Sequence, residues 1–417
     1  MASAKRAHSS AVVRLAVHFG FVVLLLTSIA AQAQTYTVLH VFTGHDGSEP
    51  ETALTLDRAG NLYGTTRFGG AGYGTVFKLS RAGSGWILST IYTFQDGADG
   101  AYPGSRLVFG PDGTLYGTAG GGSGTAGVVY NLRPQPNACT TALCPWQETV
   151  IYTFSGGADG GYPGTGALTF DSAGNLYGTG GGGGLSCEHG GCGVVYKLTR
   201  SGGSWTESVL YDFTGGSDGQ TPNAGVTFNI AGNLYGTTLY GGANSQGTVY
   251  ELTPSQSGWT ETTLHAFGAG SDGYTAFGGV IFDIHGNMYG ATYNGGAGNP
   301  AGGTVYKLQP SGGGWNYSIV DNLVGFAGPS DDLALDNVGN LYGTVGIDSN
   351  GLGNVFELTP SGESWAYAVV HEFPDEDNGA EPIGGVVLDA SRNIYGTASV
   401  GGGGNGSGQG VVFEIAP

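Results

Sequence analysis

Basic residues are scarce in this chain of 417 residues, which has 13 Lys and Arg against 32 Asp and Glu. All but three of the basic residues and all of the acidic ones lie after residue 33. A surface this acidic repels the phosphates of nucleic acids and of anionic membranes. The composition therefore predicts that no nucleic acid is a partner.

Good helix formers are also scarce, because 84 Gly and 16 Pro occupy about a quarter of the chain. Glycine costs a helix about 1 kcal/mol relative to alanine, so a mainly helical fold is excluded. The hydrophobic share is nevertheless 40%, with 23 Tyr and 18 Phe, which is enough for a large core. Short strands joined by tight turns are the structure that this composition indicates.

No apolar run after residue 33 is long enough to cross a membrane, which takes about 20 residues. Before it, three basic residues precede a mostly apolar run over residues 17–29, and Ala31 and Ala33 fit a small-x-small cleavage site. Residues 1–33 are predicted to be a cleaved signal peptide, with an uncleaved anchor as the alternative. We expect a secreted protein, extracellular or periplasmic, that begins at Gln34 and has no membrane span after cleavage.

The four cysteines form two pairs, each with four residues between the partners. In an exported chain the predicted state is two disulfides, Cys139–Cys144 and Cys187–Cys192. Metal binding is the alternative, although the spacing is not that of a zinc knuckle.

A phrase of the type Asn-Leu-Tyr-Gly-Thr recurs seven times, at intervals of 53 to 61 residues. Its tyrosines are Tyr63, Tyr116, Tyr177, Tyr235, Tyr289, Tyr342 and Tyr395. Self-similarity at such a period indicates a repeat architecture. In the third copy, four strand-like runs (A–D) cover residues 167–170, 175–179, 193–198 and 205–213.

Four antiparallel strands in about 53 residues is the size of a propeller blade, whereas a β-helix coil is much shorter. The sequence predicts an all-β fold, a seven-bladed β-propeller of four-stranded antiparallel blades over residues 34–417. The chain ends on a strand C, at residues 410–415, and begins with a strand D, at residues 35–42. Pairing of these two strands should close the ring and remove exposed edges.

Together with the repeated phrase, the segments Gly74-Thr-Val-Phe-Lys-Leu79 and Asp159-Gly-x-x-Pro163 resemble the bacterial GloVer (Gloeo–Verruco) tandem-repeat family. The resemblance covers essentially all of residues 34–417. It implies a secreted or surface-displayed repeat protein. The family brings no agreed activity, so the resemblance implies no catalytic residues.

Strand alternation places the D–A and B–C loops on one face of the ring and the A–B and C–D loops on the other. Asp-Gly turns recur in the D–A loops, and Asp99, Asp159 and Asp218 are candidate ligands for Ca²⁺, the one cofactor that these oxygens would suit. The alternative is that Asp and Gly simply build the turns.

Seven aromatic residues in the same loops fall outside the repeat pattern. They are the candidate ligand-binding residues Tyr102, Tyr162, Tyr274, Phe68, Tyr73, Tyr240 and Tyr293. Loops on a rigid scaffold often carry binding residues, and flat rings beside carboxylates and amides suit a sugar. Packing of these rings between adjacent blades is the alternative.

No catalytic constellation is visible in the sequence. His40, His265 and His371 take a strand D position that is tyrosine in other copies, which indicates structural roles. The prediction is a secreted, non-catalytic binding or scaffold module, expected to be a monomer, for an extracellular polysaccharide or another polymer. The alternatives are a polysaccharide lyase or hydrolase using the same face, and a structural cell-surface or adhesion protein.

Overall fold

The repeat region folds into small antiparallel β-sheets. The structure is a computed structural model, and it describes residues 34–135, 146–163, 166–187, 190–268, 270–403 and 408–417. Within these ranges the strands make seven sheets, and residues Gln34–Pro417 belong to one unit. No helix in the described part is long and apolar enough to cross a membrane.

The strands are grouped below by blade, in chain order. Blade 1 contains β2 Thr55–Leu56, β3 Leu62–Thr66, β4 Thr75–Ala82 and β5 Gly85–Thr93; blade 2 contains β6 Ala101–Pro103, β7 Val108–Phe109, β8 Leu115–Gly120, β9 Val128–Arg133 and β10 Gln147–Thr153; blade 3 contains β11 Gly161–Pro163, β12 Thr169–Phe170, β13 Leu176–Gly182, β14 Val194–Ser201 and β15 Ser204–Asp212; blade 4 contains β16 Thr227–Phe228, β17 Leu234–Thr238, β18 Thr248–Ser255 and β19 Gly258–Ala266. Blade 5 contains β20 Ile281–Phe282, β21 Met288–Thr292, β22 Ala301–Ser311 and β23 Gly314–Val324; blade 6 contains β24 Ala334–Leu335, β25 Leu341–Val345, β26 Asn354–Ser361 and β27 Ser364–Glu372; blade 7 contains β28 Val387–Leu388, β29 Ile394–Ala398, β30 Val411–Ala416 and, from the other end of the chain, β1 Thr35–Val41. Two single 3-10 turns, Gly270–Asp272 and Glu376–Asn378, lie between blades.

The seven sheets form the blades of a ring that closes through the first strand. β1 pairs antiparallel with β30, from Thr35 opposite Ala416 to Val41 opposite Val411. On one side, the Tyr36 ring stacks on His371 of blade 6, with centroids 3.9 Å apart. On the other, Phe42 packs edge-on against Phe77 of blade 1. The predicted seven-bladed propeller and its closure are confirmed.

The innermost strands are shorter than the sequence predicts. In blade 3 the run expected over residues 167–170 pairs within its blade only at Thr169–Phe170. The preceding residues instead run against the inner segment of blade 4, where the Gly166 N–H donates to the Asn223 carbonyl at 3.0 Å. A side chain on Gly225 would lie 2.1 Å from the Ala167 oxygen, so the approach requires glycine.

The repeated phrase joins each blade to the next. Its leucine is buried in the core, as Leu62 is. Its glycine lies under an aromatic ring of strand C, and a Cβ on Gly64 would lie 2.5 Å from the Phe77 ring. Its threonine hydroxyl can donate to the segment that precedes the innermost strand of the following blade, as Thr397 does to the Thr52 carbonyl at 3.1 Å.

The tyrosine of the phrase contacts a strand C residue whose charge changes sign between copies. Lys78 lies over the Tyr63 ring, with its Nζ 5.5 Å from the centroid. Glu251 accepts a 2.6 Å hydrogen bond from the Tyr235 hydroxyl. One aromatic side chain serves either partner, because its face attracts a cation and its hydroxyl donates to an anion.

Three of the blade interfaces enclose a glutamate on the outer strand: Glu148, Glu207 and Glu261. Burial, followed by the charge of the nearest D–A loop aspartate, raises the pKa of Glu148 to about 7, and the same causes act on Glu207. At Glu261 burial and Asp218 raise the pKa to about 7 against a hydrogen bond from Thr263. One carboxylate oxygen of Glu148 and one of Glu207 is buried without a hydrogen-bond partner. These interfaces therefore favour the protonated acids.

Candidate functional site

The D–A and B–C loops meet on one face of the ring, here called the loop face. Residues of the two loops pair by isolated bridges, such as Ser48 with Phe68 and Gln220 with Tyr240. In blades 2 and 3 the contact extends into short strands, β6 with β8 and β11 with β13. The A–B and C–D turns form what is called the opposite face.

In six of the seven D–A loops, one residue has a left-handed backbone conformation. These residues are Glu49, Tyr102, Tyr162, Thr221, Thr275 and Glu381, with φ between +50° and +59°. Such a conformation costs about 1–3 kcal/mol for a residue with a side chain. It is held by the preceding blade, because the backbone N–H of Tyr102 donates to the Tyr73 carbonyl at 2.8 Å.

The residue after this position locks the contact between blades. It is proline in most copies, and Pro103 packs on Gly74 of the preceding blade, where a Cβ would lie 2.5 Å from the proline Cδ. Gly74 itself has φ +96°, a conformation that favours glycine. The six side chains are thus carried on a rigid backbone.

Phe68, Tyr73 and Tyr102 come together at the junction of blades 1 and 2. Tyr102 is 38% exposed and packs edge-on against both rings, with centroids 5.4 Å from Phe68 and 6.0 Å from Tyr73. Arg67 covers the Phe68 ring at 5.3 Å and pairs with Glu51 at 3.1 Å. This group is a mixed aromatic and charged patch on the loop face.

The other four predicted aromatics divide into two kinds. Tyr162, on the neighbouring blade, is 60% exposed, and Tyr240 is 39% exposed. Tyr274 packs against the core of blades 4 and 5, and Tyr293 packs edge-on against Phe277 at 5.1 Å. The structure therefore leaves Tyr102, Tyr162 and Tyr240 as the accessible rings of the predicted set.

Each of the three candidate calcium ligands accepts hydrogen bonds from its own turn and from the strand that precedes it. The Asp99 carboxylate accepts from the Tyr92 hydroxyl at 3.0 Å and from two backbone N–H groups of its loop. Burial alone would raise the pKa of Asp159, but hydrogen bonds from Ser155 and Tyr152 together lower it. Asp218 accepts from Tyr211 and Thr214 in the same manner.

In the part of the chain that the structure describes, no group of three or more His, Cys, Asp or Glu side chains is arranged to hold a metal ion. The contacts of these aspartates are those of turn-building residues. A calcium site at them stays a prediction.

Three charged residues at the mouth of the central channel were not identified from the sequence. Arg106, Asp331 and Asp332 precede the innermost strands of blades 2 and 6, at positions that are Ala, Gly, Ser or Thr in the other copies. That departure from the repeat was the available signal. The Arg106 guanidinium lies 3.9 Å from the Asp332 carboxylate, across the ring.

The two aspartates connect blade 6 to four other blades. Asp331 accepts from the backbone N–H of Ala53 at 2.9 Å and of Gly385 at 3.1 Å. Asp332 accepts from the Gly279 N–H at 2.7 Å. Burial, followed by the charge of Asp331, raises the pKa of Asp332 despite the nearby Arg106.

The histidines in the strand D position contact residues of the blade interfaces. His40 lies 2.9 Å from the Asp46 carboxylate, and His265 stacks on Tyr317 at 3.6 Å. His371 stacks on Tyr36, and burial lowers its pKa to about 4. Their contacts fit the structural role expected of them.

The Cys187–Cys192 disulfide is present in the B–C loop of blade 3, with the two Cα atoms 5.0 Å apart. Cys192 is fully buried, and the Cys187 sulfur contacts the Thr214 carbonyl of the adjoining D–A loop. The second predicted bridge, Cys139–Cys144, lies outside the described residues, as do the predicted signal peptide 1–33 and its cleavage site.

Solved structures share the fold at low sequence identity. A fungal alcohol oxidase of the AA5 family, in complex with copper, is 17% identical with a TM-score of 0.56, and the match covers 92% of this chain and 77% of that one. A PL25 polysaccharide lyase, an ulvan lyase, is 10% identical with a TM-score of 0.51, covering 91% and 95%. At this identity the likeness shows the propeller fold alone. Among curated protein sequences, none matches.

One family model accounts for nearly the whole chain. It matches three overlapping segments, residues 25–184, 143–328 and 280–417, which together span all seven copies of the repeated phrase. The resemblance of the repeated phrase is confirmed, and the chain belongs to the Gloeobacter/Verrucomicrobia repeat family.

Proposed function

We propose that this chain is an exported, non-catalytic binding protein that holds an extracellular polysaccharide on its loop face. The observation that carries the proposal is the pair Tyr102 and Tyr162. They occupy the same position on neighbouring blades, with φ of +54° and +50°, and both rings are accessible to solvent. Exposed rings on a backbone that is held in a costly conformation are preorganised for stacking on a ligand.

The surroundings of these rings suit a sugar. Glu51 and Arg67 supply polar groups beside the Phe68–Tyr102 cluster, and Glu49 takes the position of Tyr102 in blade 1. Aromatic faces with a few oriented polar groups are the usual composition of a ligand site. The repeated geometry fits a polymer better than a single small molecule, because six of the seven blades carry a side chain at the same loop position.

Recognition of this kind is weak at each blade. Stacking on one ring contributes about 1 kcal/mol beyond area burial, so several rings must act together. A polymer engages neighbouring blades at once, and avidity then raises the apparent affinity. The ligand is therefore a chain of several sugar units.

Carboxylates on the loop face favour binding over catalysis. Both oxygens of Asp331 accept hydrogen bonds from backbone N–H groups, and the Asp-Gly carboxylates are engaged by their own turns. A general acid or base must reach a substrate proton, which these contacts oppose.

The proposal is tested with the variant Tyr102→Ala/Tyr162→Ala/Tyr240→Ala, by measuring how strongly a polysaccharide retains it. A glycan array selects the best ligand, and gel electrophoresis in that polysaccharide measures retention. We expect affinity to fall by more than tenfold while the melting temperature falls by no more than about 5 °C, because none of the three rings belongs to the buried core, although Tyr102 packs against two other loop rings. Tyr367→Ala removes an equally exposed ring (39%) from the outer strand of blade 6 and should keep retention.

If the triple variant unfolds, the rings belong to the core and the proposal fails. If it folds and binds as before, the ligand lies elsewhere.

Export is tested separately: mass spectrometry of secreted protein should find Gln34 at the N-terminus, and a start at Met1 on secreted material would contradict cleavage after Ala33.

A polysaccharide lyase or hydrolase is the second proposal, and one observation favours it. Asp332 has a raised pKa and lies beside Arg106 at the channel mouth, where a protonated carboxyl could act as a general acid. To test it, the protein is incubated with the glycans that it binds. New reducing ends would show cleavage, and ultraviolet absorbance of unsaturated products would show a lyase. Activity that is lost in Asp332→Asn supports the enzyme, and absence of products from every bound glycan rejects it.

A further inference from the structure

The opposite face is not uniform around the ring. Blades 4, 5 and 6 present an aliphatic side chain at the tip of the A–B turn: Ile230 is 109% exposed, Ile284 is 95% and Val338 is 68%. The equivalent turns of blades 1, 3 and 7 read Asp-Arg-Ala-Gly, Asp-Ser-Ala-Gly and Asp-Ala-Ser-Arg, with no large apolar tip. Three consecutive blades thus carry apolar side chains where these other copies carry small or polar ones.

Open grooves lie between the same blades. One of about 910 Å³ lies between blades 5 and 6, and its walls include Ile284, Val338 and Trp365. One of about 490 Å³ lies between blades 4 and 5, beside Trp315. The three tips and the two grooves together are called the tip surface.

At two other junctions of this face, an arginine side chain bridges neighbouring blades. Arg81 of blade 1 reaches Tyr395 of blade 7, donating to its hydroxyl at 3.0 Å. Arg392 of blade 7 reaches Tyr342 of blade 6 at 2.7 Å. No arginine occurs anywhere in residues 201–391, so no such bridge forms between blades 4 and 5 or blades 5 and 6.

Charge is distributed as unevenly as the apolar tips. Residues 201–391 contain 20 acidic residues and a single basic one, Lys307. The remaining residues from 34 to the end contain 12 acidic and nine basic residues, so nearly all of the excess negative charge lies in and beside blades 4–6. At the tip surface itself, Asp283, Asp336 and Glu363 line the larger groove together with Lys307. Asp336 also pairs with Arg392 at 3.2 Å, and the groove keeps a net negative charge.

We propose that the tip surface is a docking site for a protein segment that combines aliphatic side chains with lysine or arginine. Ile284 and Val338 lie in the wall of one groove beside Trp365. Ile230 is exposed at the corresponding turn of blade 4, and apolar surface gathered in this way marks interaction sites. The surrounding carboxylates select a basic partner and speed its approach. A second copy of this chain is disfavoured as the occupant, because two acidic surfaces repel each other.

The experiment uses the chain without residues 1–33 and a synthetic 14-residue peptide of alternating leucine and lysine. Calorimetry measures its affinity at 150 mM salt, in parallel with a serine–lysine peptide of equal charge and a leucine–glutamate peptide of opposite charge. We expect the leucine–lysine peptide to bind at least tenfold more tightly than either.

The variant Ile230→Ser/Ile284→Ser/Val338→Ser should reduce that affinity at least tenfold and leave the melting temperature unchanged. The matched control, Ile87→Ser/Val324→Ser/Phe326→Ser, removes three exposed apolar side chains outside the tip surface and should bind as the unaltered protein does.

Three results would overturn the proposal. The first is a triple tip variant that binds within twofold of the unaltered protein. The second is equal binding of the serine–lysine peptide, which would reduce the effect to charge alone. The third is displacement of the peptide by a neutral oligosaccharide such as cellohexaose, which would make the grooves a sugar site.

Discussion

Replacing Glu148, Glu207 and Glu261 together by glutamine should stabilise the propeller at pH 8 and change little at pH 5. The three carboxyls have pKa values of about 7 in the folded protein, against 4.5 for an ordinary glutamate. A group whose pKa is raised by folding contributes its full stability below the unfolded pKa, and this contribution is lost as pH rises through the folded pKa. Above pH 7 the folded protein therefore holds three ionised acids that it solvates poorly.

The magnitude follows from the difference between the two pKa values. At 1.36 kcal/mol for each pH unit, the upper limit is about 3.4 kcal/mol for each residue. All three side chains are only partly buried, so solvent screening reduces this to about 1 kcal/mol each. The sum of about 3 kcal/mol corresponds to a rise in melting temperature of about 4 °C for a domain of this length.

Scanning calorimetry at pH 5 and pH 8 measures the effect. Glu363→Gln, on an exposed C–D hairpin, is the matched control and should shift the melting temperature at neither pH. Equal stabilisation of the triple variant at both pH values would refute the argument, because the stabilisation would then not depend on ionisation of the three glutamates. So would a triple variant that is less stable than the parent at pH 8.

Three further outcomes are expected. Deleting residues 34–42 leaves β30 without its outer neighbour and should cause aggregation or large destabilisation, and an unchanged melting temperature would contradict the role of that pairing. Asp331→Ala leaves three backbone N–H groups, those of Ala53, Asp332 and Gly385, without this acceptor and should cost about 3 kcal/mol in urea unfolding, while Asp331→Asn should cost less because it keeps an acceptor. Replacing Cys187 and Cys192 by serine opens a short loop and should cost about 2 kcal/mol, and no measurable loss would indicate that the adjoining loops hold the turn without the bridge.

The architecture could be predicted because each blade repeats the same local chemistry. The Leu-Tyr-Gly core of the phrase, the aspartate turns and the aromatic ends of strand D recur at a fixed order, so seven copies indicate seven blades. The closing pair was predicted for the same reason, since Thr35–Val41 has the pattern of strand D and Val411–Ala416 that of strand C. Inner strand lengths were less accurate, because residues such as Gly166 bond to the next blade instead of their own.

The sequence pattern could not show which side chains from distant blades come together in the fold. Arg106 and Asp332 are 226 residues apart and meet only because the ring brings blades 2 and 6 together across the channel. Tyr162 and Tyr274 belong to the same loop type, and only packing makes one ring accessible and places the other against the core. The aliphatic tips were visible in the sequence, but only the structure shows that Ile284 and Val338 line the same groove.

The pairing of Thr35 with Ala416 also bears on the order in which the molecule can assemble. The strand that closes the ring is made before the other strands of the propeller, yet its partner β30 is made after them. Until then β1 has no strand to pair with, and six blades can form without a closed ring. Because these two residues are directly opposite each other, a few glycines could join them, and new ends could be opened in the Gly202–Gly203 hairpin of blade 3. In that circular permutant every blade would be built from consecutive strands except blade 3, and closure would pass to β14 and β15.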